Sequence, residues 1–320
     1  MNFTSTADHH LYAHLKASIL GVVGSFVLFA AYLAVPPLGI FSGVLAPFPA
    51  AHNHLIHGRL SSLITTLGTT AIITTLFGIF AGFLYLGMCG MISFLMPELL
   101  LRGLSAKRVL FWTTMANLLI YSSGIFVYCY VSGVNLQQII STEVSASLKQ
   151  AVALYEKGGV TGEELELVKN SMATVSDLLK RLYPALITAM LIIVAGCNLI
   201  LVKKTTANSS ITLNIDDFAK FRNPDLLVWL LIACGFALLL PLPLITTPAL
   251  NLLLIITLLY FFQGMAVVVA MIKKYSVPAL LRIFLYTVLI IQPYLLALVA
   301  GIGIFDLWVD FRTPKTEENL

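Results

Sequence analysis

From Leu60 to Met96 the chain carries no charged residue. A helix crosses a bilayer core of about 30 Å with roughly 20 apolar residues. The stretch is therefore too long for one crossing and suits two helices, hinged near Phe77-Gly78. A second pair of apolar runs fills the C-terminal fifth, from Asn251 to Arg312. Lys273, Lys274 and Arg282 lie between its two runs with no acid among them, the mark of a short cytoplasmic loop. Such a chain has to fold as a polytopic all-α membrane bundle.

Composition supports that class. Of 320 residues, 59% are hydrophobic and 11% charged, and the mean hydropathy is +0.94. A soluble domain carries about 25% charged residues. The net charge of +4 follows from basic cytoplasmic loops. No basic cluster stands beside exposed aromatics, so nucleic acid is not an expected partner.

Taken in order, the first span is Ala17–Val35, ended by Pro36-Pro37, which cannot continue a helix. Gly39–Ala51 is broken by Pro47 and Pro49, and is either a short span or a re-entrant segment held by protein. After Leu60–Met96, Pro97 is expected to stop the helix, and Glu98–Arg108 to form a basic loop. Further spans are Val109–Val131, Leu182–Val202, Leu226–Leu242, Leu250–Met271 and a last one ending near Phe305. The total is about eight or nine. The polar first sixteen residues, with no suitable cleavage site downstream, argue that the first run is retained.

Between residues 132 and 181 the composition turns polar while keeping helical periodicity. Val144, Leu148, Ala151 and Tyr155 share one face. After Gly158-Gly159, Leu165, Val168, Met172, Val175 and Leu179 share another. Thr161 and Glu164 have capping-box spacing. The expected form is a helical hairpin outside the bilayer, its apolar stripe resting on the outer ends of neighbouring spans. The chain thus divides into N-terminal membrane helices (1–131), an extracytoplasmic hairpin (132–181) and C-terminal membrane helices (182–320). Lys203, Lys204, Lys220 and Arg222 place their loop in the cytoplasm, with the C-terminal tail outside.

Motifs that carry chemistry are sparse. The chain has no Walker A sequence, GxSxG elbow, HExxH or paired-carboxylate motif, so enzymatic activity, catalytic residues and cofactors are not expected. Cys89, Cys129, Cys197 and Cys234 lie in apolar runs without CxxC spacing and read as small buried hydrophobes. The histidines form two cytoplasmic clusters, His9, His10 and His14, then His52, His54 and His57. The clusters are placed to meet, but they lack a second ligand type and read as solvated imidazoles without a metal. No acid or base is expected at the centre of a span. The strongest polar residues there are Asn117, Asn198, Asn251, Gln263 and Gln292. Asn251, Gln263 and Gln292 are the candidate ligand-binding residues, lining a cavity for a neutral or zwitterionic solute; the alternative is hydrogen bonding between helices. Gly39/Gly43 and Gly78/Gly82 permit close helix approach. Asp306 and Asp310 share helical spacing, with Arg312 near enough to neutralise one. Trp308 and Arg312 read as interface anchors.

FFQGMAVVVAMIKK, GIGIFDLWVDFR, DDFAKFRNPDLLVWLLIA, MISFLMPELLLRGLSAKRVLFWTTMANLL and GIFSGVLAPFPAA together resemble the YybS-like family of bacterial membrane proteins, which has no assigned activity. That family is similar, more distantly, to the substrate-binding S components of energy-coupling-factor transporters. The resemblance implies a multi-pass protein of the bacterial cytoplasmic membrane that binds a small solute, with transporter energising subunits as partners. The alternative is a membrane scaffold or regulator that binds other proteins through the hairpin.

Overall fold

The computed structural model describes residues 3–35, 39–207, 209, 211–309 and 311–312. Pro36, Pro37 and Asp310 lie outside the described residues, as do the side chains of His9 and His10. Thirteen α-helices run in order: α1 Phe3–Ala34, α2 Gly39–Leu45, α3 Phe48–His57, α4 Arg59–Phe77, α5 Ile79–Tyr85, α6 Met91–Leu101, α7 Ala106–Ser132, α8 Leu136–Lys157, α9 Glu163–Thr206, α10 Leu226–Ala237, α11 Pro243–Lys274, α12 Ala279–Ile291 and α13 Pro293–Val309. No strand occurs among the described residues.

Glycine sets the main breaks. Gly58 (φ +87°) separates α3 from α4, and Gly78 (φ +90°) separates α4 from α5. A side chain would be strained at these angles. The uncharged stretch therefore folds as two helical rods hinged at Gly78, as its length requires. The second rod is α5 and α6 joined by a π-helical turn, Leu86–Gly90.

Three prolines among the described residues lie inside helices, Pro97, Pro184 and Pro248 of α11, and two of them show how the broken rung is repaired. Pro97 lies within α6. It leaves the Ser93 carbonyl without its backbone donor, and the Ser62 hydroxyl donates to that oxygen at 3.0 Å. Pro184 lies within α9, which runs for 44 residues, about 66 Å. The Asn251 carboxamide occupies the rung beside Pro184, accepting from the Ala185 N–H at 3.0 Å and donating to the Arg181 carbonyl at 2.8 Å. Hairpin and span thus share one helix.

Among the described residues, six helical segments are long and apolar enough to cross a membrane, in α1, α4, α5–α6, α7, α9 and α11. A seventh exists if Ala279–Leu289 and Tyr294–Val309, bent by 107°, form one broken span. This is fewer than the expected eight or nine, for three local reasons. Gly39–Ala51 breaks into two short helices. Leu226–Ala237 is only 12 residues long. The last apolar run breaks at Gln292.

The helices form two compact units, Met1–Gln138 with Met190–Ile215, and Ile139–Ala189 with Asp216–Leu320. The first has two apolar clusters, one around Ile92, Met96, Leu100, Val194 and Val202, the other around Phe29, Ile73 and Tyr85. The second is centred on Ile256 and Tyr260. It includes the hairpin, whose first helix α8 buries no residue. Along α9, Val175 is exposed, and Leu165, Val168, Met172 and Leu179 are half-buried. Met172 lines an open groove of about 430 Å³ with Leu148 and Val152 of α8. Of that stripe, Met172 faces α8. The start of α9 follows Gly162 (φ +64°), at Glu163, two residues beyond the expected cap.

Candidate functional site

In the first unit, α3 ends in Asn53, His54 and Leu55, all buried. His54 is 0% exposed, against the expectation of solvated imidazoles. Its ring meets Phe94 edge-on, and its Nε2 stands 3.4 Å from Glu98 Oε2. Neither ring nitrogen makes a hydrogen bond. Glu98 is inside α6 and 7% exposed, not in a loop. Arg59, the first residue of α4, grips it with both arms, Nε to Oε2 at 2.8 Å and Nη2 to Oε1 at 2.6 Å. Arg102 Nε adds a bond to Oε1 at 3.0 Å. One carboxylate thus ties α4 to α6 beside the end of α3, at the Gly58 break.

Burial pushes the His54 imidazole below its ordinary value, and Arg59 pushes the same way; the Glu98 carboxylate opposes both. His54 is therefore neutral near pH 7. His52 and His57 are lowered too, by burial first and then by a neighbouring histidine. The two histidine clusters do meet: the rings of His14 and His57 lie 5.4 Å apart, edge to face. No group of three potential metal ligands occurs among the described residues.

A polar seam leads from this cluster along α1, α3 and α4. Asn53 Nδ2 donates to the Ala17 carbonyl (2.9 Å) and Thr65 Oγ1 (3.1 Å), and Ser18 and Ser61 share a hydrogen bond of 2.8 Å. Gly21 makes room, since a Cβ there would lie 2.4 Å from Asn53 Nδ2. Farther on the partners run out. Asn117 Nδ2 donates to the Met88 carbonyl of the π-helical turn at 3.0 Å, but its Oδ1 has no partner. The Tyr85 hydroxyl faces Ser25 and Thr69 without a formed hydrogen bond, and Ser25, Thr66, Thr113 and Thr114 are likewise buried and unpartnered. Thr113 and Asn117, four apart on α7, share a face.

The second unit holds the other buried carboxylate. Asp306 of α13 is 1% exposed. It accepts from Arg312 Nη2 at 2.7 Å and Nε at 3.3 Å, and from Gln263 Nε2 at 3.1 Å. The other end of Gln263 accepts from the Asn223 N–H at 2.9 Å. Arg312 Nη1 donates to the carbonyls of Ala219 (2.9 Å) and Phe221 (2.8 Å). Gln263 lies about three turns before Lys274, roughly 16 Å along α11. Arg312 neutralises Asp306, one of the two aspartates its position in the sequence put within reach, and Trp308 is exposed.

The three candidate ligand-binding residues have separate surroundings. Gln263 belongs to the Asp306 network, Asn251 to the Pro184 rung, and Gln292 is exposed at the α12–α13 break. Sequence reasoning missed His54, Glu98 and Asp306 as buried groups. The four-residue spacing of Glu98 and Arg102, at the end of an uncharged run, was the available signal. It also missed Gly264 and Gly303, where a Cβ would lie 1.9 Å from the Val299 carbonyl oxygen and 2.0 Å from that of Tyr260.

The segments that carry these groups are spread over nearly the whole chain, and so is its likeness to known sequences. No curated protein and no solved structure matches. One family model matches residues 23–307, a range that takes in both buried carboxylates. The chain therefore belongs to the family described as predicted membrane protein (DUF2232).

Proposed function

We propose that the protein is a multi-pass protein of the bacterial cytoplasmic membrane that binds a small polar solute inside its first unit, in the manner of an uptake subunit. The observation that carries this reading is the set of buried, unpartnered polar atoms on Tyr85, Ser25, Thr66, Thr113, Thr114 and Asn117. In a hydrocarbon setting each such group costs several kcal/mol, and a polar molecule among them offsets that cost. The distant similarity to energy-coupling-factor S components points the same way. It implies that separate energising subunits supply the work. Mass spectrometry of compounds released from the detergent-extracted protein tests the reading. A polar compound near equimolar amount is expected from the wild type and is lost in Tyr85→Phe/Thr113→Val. Absence of any such compound from the wild type contradicts it.

A second reading, a scaffold that binds another protein, is favoured by a separate observation. Leu154, Tyr155, Leu167, Val175 and Leu178 of the hairpin are exposed, beside the open groove between α8 and α9. Outside a bilayer, exposed apolar faces of this kind mark interaction surfaces. Under this reading the extracted protein releases no equimolar solute, and deleting the hairpin tip removes a co-purifying protein.

A further inference from the structure

His54 and Arg59 stand on opposite sides of Gly58, one closing α3 and the other opening α4, and both reach for Glu98 Oε2. Arg59 holds that oxygen at 2.8 Å; His54 Nε2 waits at 3.4 Å. Gly58 has φ +87° and no atom within 4 Å of the position a Cβ would take, so no neighbouring side chain wedges the break between α3 and α4. The Arg59 side chain is 67% exposed, so its guanidinium exchanges the carboxylate for water at little cost. The His54 imidazole has no such freedom, being enclosed by Phe94 and Glu98.

We infer that His54, Arg59 and Glu98 form a proton-operated hinge, in which a proton taken up by His54 draws the Glu98 carboxylate away from Arg59 and frees α4 to turn about Gly58. The proton comes from water and adds to the neutral imidazole, leaving Nε2–H as a charged donor aimed at Oε2. A charge-assisted bond of that kind is shorter and stronger than a neutral one. Once the imidazolium and carboxylate neutralise each other, Arg59 keeps only an exposed contact. Arg102 still holds Oε1 from within α6, so Glu98 stays anchored while its partner across the hinge changes. The groups facing His54 are Glu98 from α6 and Arg59 from α4. Arg102 lies on the far side of the carboxylate, His52 and His57 share α3, and His14 of α1 faces His57. The burial that lowers His54's affinity for protons places the switch on the acidic side of neutrality. The hinge is independent of whether the first unit holds a solute.

Spin labels at Ile56→Cys on α3 and Leu67→Cys on α4 report the hinge, both sites being exposed. The measurement uses the full-length protein in nanodiscs with its four native cysteines changed to alanine, from about pH 8 to about pH 5. The expected result is a shift of the distance distribution with a single midpoint, absent in His54→Gln. Arg59→Gln lacks the clamp that protonation releases, so it is expected to show the low-pH distance at both extremes. If His54→Gln does not fold, the exposed Arg59→Gln carries the test alone. Equal distances at both pH extremes in the wild type overturn the hinge. So does a wild-type-like pH shift in Arg59→Gln, or a shift that survives in His54→Gln.

Discussion

Each unit buries one carboxylate against an arginine, and the two differ in how far their surroundings are closed. Around Asp306, both carboxylate oxygens, both ends of Gln263 and three guanidinium nitrogens of Arg312 have partners. Around Glu98, the carboxylate is saturated but the imidazole beside it is not, and the seam beyond ends in unpartnered hydroxyls. In the second unit the Tyr260 hydroxyl is the only such atom among the described residues. A closed network fixes a geometry; an open one leaves free energy available to a proton or a solute. The Asp306 site therefore reads as a latch and the Glu98 site as a working part.

Removing one partner of a closed buried pair is the harshest way to probe that contrast. Arg312→Ala leaves Asp306 buried without its counter-charge and is expected to cost about 3–5 kcal/mol in denaturant titrations. Asp306→Asn/Arg312→Gln together should cost less than Arg312→Ala alone. Gly303→Ala follows in size, since its Cβ would lie 2.0 Å from a backbone oxygen; the expected loss is about 1–3 kcal/mol. Asn251→Leu breaks the rung at Pro184 and should cost roughly 1 kcal/mol. It should also raise protease sensitivity near Arg181, where the wild-type helix is continuous.

Acidification probes the open side. His54 binds protons less well folded than unfolded, so the unfolded state takes up protons first as pH falls. Stability of the first unit should then decline from about pH 6.5 down through the lowered folded value and level off below it. His54→Gln should flatten that decline. The expected size is the smallest of the set, because hinge motion relieves part of the penalty.

Local signals in the sequence located the helices well and their partners poorly. The uncharged stretch and Gly78 were enough to place a break, and Gly158-Gly159 enough to place a helical hairpin. Pro97 looked like an end because its rescuer, Ser62, lies far along the chain, and the bridging of the Pro184 rung by Asn251 is equally long-range. The histidines looked solvated because the burial of His54 depends on α6, which a reading of nearest neighbours does not bring to it. Gln263 was picked out as a membrane-embedded amide, but its role depends on Asp306, which reads in sequence as a residue just beyond a span. Long-range partners decide these cases, and neither composition nor periodicity reports them.

Amide hydrogen exchange on the full-length protein in nanodiscs, at about pH 8 and about pH 5 with intrinsic rates corrected, tests the contrast most directly. Peptides covering 54–62 and 93–102 should lose protection on acidification, while those covering 217–225, 259–267 and 299–309 should not change. Equal loss in both units, or full protection of 54–62 at the lower pH, would contradict the division into a working part and a latch.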